Sequence, residues 1–288
     1  METLLEADTM EIVNVPFAAL ERAEMKYWSG YYDRANSDLK SRLGLDTDTR
    51  CGALCVSAAR HDVLAFNRCI GLGIDEPISE SHIRCVMRYF DGRDIPRYFV
   101  QVAPQALSLE TKVMLEMYGF REYNFWSKFW RTLRDVPAGS AALSESLLES
   151  GITITVIGAD QAGVFAEIAN RAFEYDIDGF MAGHIGESDW LHYLAWKDGR
   201  PVAASSMMIR GEQAVFTLCA TLPEARNYGI QSALIKRRMH DAVQRGCTWA
   251  CTETAMDRPE KPAPSARNMI RHGFQLAYHR PNYIYIRR

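Results

Sequence analysis

The seven cysteines of this 288-residue chain form no C-x-x-C pair and no set at zinc-ligand spacing. Seven is odd, and the residues are scattered. That argues against a disulfide framework and favours reduced thiols in a cytoplasmic setting. Cys51 and Cys55 stand close together, but no second pair of ligands accompanies them, so no metal is expected. Excess charge is lacking too. Thirty-three Lys and Arg face 36 Asp and Glu, a net charge of −3. Such a balance supplies no general field for nucleic acid or an anionic membrane. No apolar run approaches the ~18 residues of a membrane span. The start, Met1-Glu2-Thr3-Leu4-Leu5-Glu6, is acidic and lacks the basic and apolar regions of a signal peptide. What remains is ordinary globular material, 48% hydrophobic and 24% charged, with room for one large or two ordinary domains.

The clearest break is Asp135-Val136-Pro137-Ala138-Gly139-Ser140, after the aromatic run Tyr123–Trp130. It divides the chain into 1–136, a linker at 137–150, and 151–288. The two pieces end alike. In the first, the strand-like Arg97–Ala103 leads to a helical Leu109–Tyr118, then Gly119-Phe120 and an aromatic strand. In the second, Cys247–Thr252 reads as a strand. A helix from about Ser265 follows, then Gly273-Phe274 and the strand Tyr283–Ile286. This order reads as a duplicated α/β unit. Chance is the alternative, since glycine commonly ends helices.

The second piece is the more legible. Ile152–Ile157 alternates as a strand, and Ala159–Phe173 has a helical apolar face. Leu191–Trp196, the Asp198-Gly199 turn, Val202–Ile209 and Ala214–Ala220 follow as a meander. Then comes Thr221-Leu222-Pro223-Glu224-Ala225-Arg226-Asn227-Tyr228-Gly229-Ile230-Gln231-Ser232, between that last strand and a helix buried through Leu234, Ile235, Met239, Ala242 and Val243. A strand-to-helix turn exposes unpaired N–H groups at the positive end of a helix dipole, an anion site. Gly229 lets a ligand approach the backbone, and Arg226 adds a permanent charge. Lys236, Arg237 and Arg238 read as a solvated charged face of that helix.

On Arg226-Asn227-Tyr228-Gly229-Ile230-Gln231 and the ordered elements around it, residues 151–288 resemble the GNAT acetyltransferase superfamily, whose signature is Q/R-x-x-G-x-G/A. Arg226 and Gly229 match; Gln231 departs. The first piece resembles a degenerate copy. Its turn, Ile70-Gly71-Leu72-Gly73-Ile74-Asp75-Glu76, lacks the arginine and carries acids where phosphates would lie. The resemblance implies an α/β (α+β) fold of two tandem GNAT-like domains, each a mixed, mostly antiparallel sheet flanked by helices.

It also implies acetyl-CoA as co-substrate and a small-molecule or peptide amine as acceptor. The pyrophosphate falls on Arg226, Asn227, Tyr228, Gly229, Ile230, Gln231 and Ser232. The pantetheine falls along Cys219, Ala220 and Thr221, with Ser265 and Asn268 as further contacts. A free amine has a pKa of ~10.4, so transfer needs a base. Glu253 is the first candidate, Asp257 a weaker one, and a surface carboxylate the alternative for both. Many members of the family carry a tyrosine four residues before the Gly-Phe glycine to protonate the leaving thiolate. Here that position is Met269, which has no proton to give; Tyr278 is a substitute candidate. Glu174, Asp176 and His184 fall in the stretch that shapes the acceptor site. A solvated acidic loop and a loop histidine are the plainer readings of those three.

Overall fold

Every apolar run named above becomes a strand or a buried helix face, and all the strands join one sheet. The computed structural model describes residues 17–137, 151–175 and 177–287. The first half runs α1 (Phe17–Arg34), α2 (Ser37–Leu43), β1 (Leu45–Asp48), β2 (Leu54–Ala58), β3 (Arg68–Ile70), α3 (Glu80–Asp91), β4 (Arg97–Gln101), α4 (Leu109–Met117) and β5 (Arg121–Thr132). The second runs β6 (Ile152–Val156), α5 (Ala162–Phe173), β7 (Trp190–Lys197), β8 (Arg200–Arg210), β9 (Gln213–Thr221), α6 (Ile230–Gln244), β10 (Trp249–Ala255), α7 (Pro264–Arg271) and β11 (Gln275–Ile286).

Local signals set the ends of these elements. Asn36 and Ser108 accept hydrogen bonds from Leu39 N and Thr111 N, capping α2 and α4. Asp198 and Gly199 both take positive φ, as the tight hairpin between β7 and β8 requires.

The sheet order is β1-β2-β3-β4-β11-β5-β10-β9-β8-β7-β6. Read from the middle outward, β11-β4-β3-β2-β1 mirrors β5-β10-β9-β8-β7. The last strand of each half has therefore changed places. β11 pairs antiparallel with β4 and β5, and β5 pairs antiparallel with β10. The sheet is antiparallel except where β3 meets β4 and β9 meets β10. Residues 138–150 of the expected linker lie outside the described residues.

A buried polar chain crosses the exchanged strands. Arg68 Nη1 donates to Gln101 Oε1 (3.1 Å), Gln101 Nε2 to Asn282 Oδ1 (2.6 Å), and Asn282 Nδ2 to Asn124 Oδ1 (2.5 Å). These bonds join β3, β4, β11 and β5 in one register. Cysteine pairing departs from the expectation of reduced thiols. Cys51 and Cys85 form a disulfide with Cα atoms 5.5 Å apart, while Cys55, Cys69, Cys219, Cys247 and Cys251 are free. Its partners stand 34 residues apart, so spacing in the sequence did not reveal it. Among the described residues no helix is long and apolar enough to cross a membrane.

Asn282→Leu should strand the amides of both Gln101 and Asn124. Each buried unpaired group costs about 1–3 kcal/mol. Urea unfolding should show a loss of at least about 2 kcal/mol, and an unchanged midpoint would contradict the buried chain.

Candidate functional site

The site begins where two parallel strands part. β9 and β10 are paired from Gln213/Trp249 to Phe216/Thr252 and no further. Beyond that point β9 stays bonded to β8 through Thr221, and β10 to β5 through Ala255. A register shift between Ser205/Cys219 and Met207/Phe216 inserts one extra residue in β9 beside the point of parting. Such a bulge bends a strand and ends its pairing. The edge of β9 from Thr217 to Thr221 is thereby left without a strand partner on the β10 side.

The loop that follows has the expected geometry. Asn227 and Gly229 take φ of +70° and +75°, and Gly229 is the N-cap of α6 with no side chain capping the helix. A Cβ built on Gly229 meets nothing within 4 Å. The start of α6 is thus uncapped by a side chain and open beside Gly229, as an anion-binding turn requires. The equivalent turn of the first half is filled: a Cβ at Gly71 would collide with Met25 Sδ, and one at Gly73 with Ala106 and Ile78.

Two cavities meet at the cleft. The first, about 600 Å³, is lined by β9, the loop and α7, including Cys219, Ala220, Thr221, Arg226, Asn227 and Gly229. Ile230, Gln231, Ser232, Ser265 and Asn268 complete that wall. Every residue assigned to the cofactor except Tyr228 therefore borders one space. Tyr228 is exposed and lies under the ammonium of Lys197, with Nζ 4.8 Å from the ring centroid. Ala172, Phe173, Ala225, Pro264 and Arg271 also border the cavity and had not been singled out. The departure at Gln231 has a structural partner, since its Oε1 accepts from Asn268 Nδ2 at 2.6 Å.

The second cavity, about 380 Å³, shares Phe173, Cys219, Gln231 and Ser265 with the first. Its remaining walls are largely aromatic. Tyr27, Trp28 and Tyr31 come from α1, Phe66 and Trp126 from elsewhere in the first half, and Tyr175 from the second. Sequence reasoning expected the first half to wall a pocket but named none of these side chains. The dense Tyr27-Trp28-Ser29-Gly30-Tyr31-Tyr32 run was their only signal, and a core helix gives the same pattern.

Glu253 borders this second cavity and a buried charge cluster at once. Its carboxylate accepts from Arg280 Nη2 at 2.5 Å and lies 3.1 Å from Lys128 Nζ. Behind it, Arg280 clamps Glu24 through both terminal nitrogens and also reaches Glu21 Oε2 at 2.7 Å. Lys128 bonds Glu24, and Arg68 lies 3.2 Å from it. Burial opposes ionisation of Glu24, but Arg280, Lys128 and Arg68 hold its carboxyl well below the usual range. Glu253 shifts the other way. Burial pushes its carboxyl up; Arg280 opposes this, and the negative charge of Glu24 adds to it. The expectation of a surface carboxylate is therefore corrected at Glu253.

Several other expectations move. Tyr278 lines neither cavity; its hydroxyl donates to Glu21 at 2.7 Å, and burial raises its pKa far above that of a free phenol. It is placed to hold the charge cluster, not to meet a departing thiolate. Met269 does border the second cavity. His184 is a core residue, 1% exposed, with its ring stacked 3.9 Å from Trp190. Burial pushes its pKa down to about 4, with Arg34 assisting. Glu174 is an exposed residue in left-handed conformation ending α5, and Asp176 lies outside the described residues. Asp257 is occupied by Ala263 N and Arg267 Nε at 2.6 and 2.8 Å. The basic run on α6 is a solvated face only in part: Lys236 is exposed, but Arg237 pairs with Asp241 and Arg238 is fully buried. No group of three His, Cys, Asp or Glu suited to a metal ion occurs among the described residues.

No family model matches the chain, and no curated protein matches it. Solved structures do. A GCN5-related N-acetyltransferase from Kribbella flavida aligns over 90% of this chain and 94% of its own, with 16% identity and a TM-score of 0.57. One from Sphaerobacter thermophilus aligns over 84% and 76%, also at 16% identity and a TM-score of 0.57. A tandem GNAT protein from the clavulanic acid biosynthesis pathway covers 76% of this chain and 74% of its own, at 15% identity and a TM-score of 0.54. The chain has the GNAT fold, a large, mostly antiparallel sheet flanked by helices.

The two core histidines give a pH signature. His184 and His192 titrate at about 4 and about 3 when folded, chiefly because burial disfavours the cation. Their unfolded value is ~6.5. The unfolded chain therefore takes up protons first as pH falls. Stability is intact above about pH 6.5 and is lost progressively towards pH 4. The urea midpoint should fall over that window, and less steeply in His184→Phe/His192→Phe; parallel curves would exclude these histidines as the cause.

Proposed function

We propose that the chain is a GNAT-type N-acetyltransferase that moves an acetyl group from acetyl-CoA directly to a primary amine. The observation that carries this reading is the parting of β9 and β10 at Phe216/Thr252, with the uncapped loop on one side and a second cavity on the other. The residues present suit the cofactor. The open N–H groups above Gly229 and the guanidinium of Arg226 would hold the pyrophosphate. The unpartnered edge of β9 at Cys219, Ala220 and Thr221 would bond the pantetheine amides as an added strand. Acetyl-CoA would supply an activated acyl carbon on a thioester.

The rest of the chemistry falls to this chain's side chains and backbone. The bulged backbone at Thr217 and Leu218 would direct an N–H at the thioester oxygen, where negative charge develops during attack. Glu253 would accept the proton of the incoming ammonium, directly or through one water. Its raised pKa makes it a better proton acceptor than a free carboxylate. The new bond is N–C, the broken bond is C–S, and the sulfur takes a proton to leave as free CoA. Ser265, which borders both cavities at the start of α7, would assist that step in place of Met269. The first half reads as a second GNAT-like unit whose own loop is filled, retained because it walls the acceptor cavity and supplies β5.

A second reading, an acyl-CoA sensor, is favoured by Met269 alone, a side chain without a proton at the cavity wall. Thiol release with a broad amine panel separates the two, since a sensor binds without turnover. Gly229→Trp should abolish acetyl-CoA binding in calorimetry by filling the approach, and retained binding would remove the loop from the site. Glu253→Gln keeps a hydrogen-bonding partner for Arg280 and should leave cofactor affinity within about twofold while lowering kcat by about 10²-fold or more. An equal loss in both would exclude Glu253 as the base.

A further inference from the structure

Three guanidiniums are fully buried among the described residues: Arg68, Arg238 and Arg280. Arg68 and Arg280 face carboxylates. Arg238 faces none. Its Nε donates to Leu234 O at 3.2 Å and its Nη1 to Ser206 O at 3.3 Å, both carbonyls and both long. Its Nη2 has no partner, and its Cζ lies 4.3 Å above the Phe216 ring. A guanidinium is charged at every physiological pH, and an uncompensated buried charge costs several kcal/mol. Burial lowers its pKa, as expected of a cation with no anion beside it. Leu234, Ile235 and Met239 supply apolar burial on the same helix, so the charge of Arg238 is the feature that calls for an explanation.

Its position suggests what the charge is for. Arg238 borders the aromatic cavity and not the loop cavity. Phe216, which it covers, is the last residue of β9 paired to β10. The guanidinium therefore lies at the apex of the cleft, where acyl group and acceptor would meet. Its own surface is covered, so an anion would have to displace side chains at the floor to reach it, where Thr217 and Cys219 are half-buried.

We propose that Arg238 is the receptor for a carboxylate carried on an apolar body into the aromatic cavity, a specificity group for the acetyltransfer site on which this inference rests. Two sources supply that chemistry. The acceptor is an amine bearing a carboxylate, such as an amino acid with an aromatic side chain, or the donor is a thioester whose acyl chain ends in a carboxylate. Glu253 is the one acid among the described residues of the cavity walls, and it is held by Arg280 and Lys128, leaving Arg238 to the ligand.

The test compares matched pairs on wild type and Arg238→Met. Thiol release with acetyl-CoA compares L-phenylalanine with 2-phenylethylamine, which differ by the carboxylate. Calorimetry compares succinyl-CoA with butyryl-CoA. Wild type should prefer the carboxylated partner by at least about tenfold in one arm, as a charge-assisted pair implies. Which arm responds identifies the source. Arg238→Met should bring the preference within about twofold, keep its affinity for CoA, and melt at the same or a higher temperature, because an unpaired charge is gone. Arg238→Lys, which keeps the charge, should retain part of the preference. No preference in either arm, or one that survives Arg238→Met, overturns the inference, while thiol release from acetyl-CoA with any amine upholds the parent reading. Should CoA itself fail to bind, the acetyltransferase reading falls. Calorimetry of 3-phenylpropionate against 3-phenylpropanol then decides the receptor alone: a preference abolished by Arg238→Met sustains it, and equal binding rejects it.

Discussion

Arg280 holds the two halves together. It stands on the strand that has crossed from the second half into the first, and its guanidinium bonds Glu21 and Glu24 of α1 and Glu253 of β10. Three carboxylates, Glu21, Glu24 and Glu253, face three cations, Arg68, Lys128 and Arg280. Such a cluster is worth little as net stabilisation, since desolvation offsets most of its attraction. Its value is specificity: any other placement of β11 would leave several buried charges unpaired. The amide chain from Arg68 through Gln101 and Asn282 to Asn124 imposes the same register from the other side.

The same cluster shapes the site. Lys128 lies directly across from Glu253 in the register of β5 and β10, so the exchanged strand delivers a cation to the candidate base. Arg68, paired with Glu24, also lies over the rings of Trp28 and Trp126 at 4.1 and 4.9 Å, and both rings wall the second cavity. Charge balance, strand exchange and cavity wall are thus one arrangement. A cleft between β9 and β10 is tolerable because each strand keeps its other partner, so only one edge of each is exposed at the parting.

The helix and strand order was largely legible, because amphipathic period, the Asp198-Gly199 turn and the glycines after α4, α6 and α7 are local signals. The loop at Arg226–Gln231 was legible for the same reason: a strand-to-helix turn with a positive-φ glycine advertises its own N–H groups. Local signals misled where burial depends on distant chain. His184 read as a loop residue until Trp190 and Tyr31 enclosed it. Tyr278 read as a spare proton donor until Glu21, 257 positions away, claimed its hydroxyl.

The sequence by itself determined the elements of the second half and the open strand-to-helix turn at Gly229, since both rest on contacts within a few residues. Only the tertiary structure decided the sheet order, the aromatic side chains that the first half lends to the second cavity, the raised pKa of Glu253 and the unpaired charge of Arg238. Each of these depends on which groups meet from different elements of the fold, and on how much water they lose when they meet. Periodicity along a chain carries no information about either.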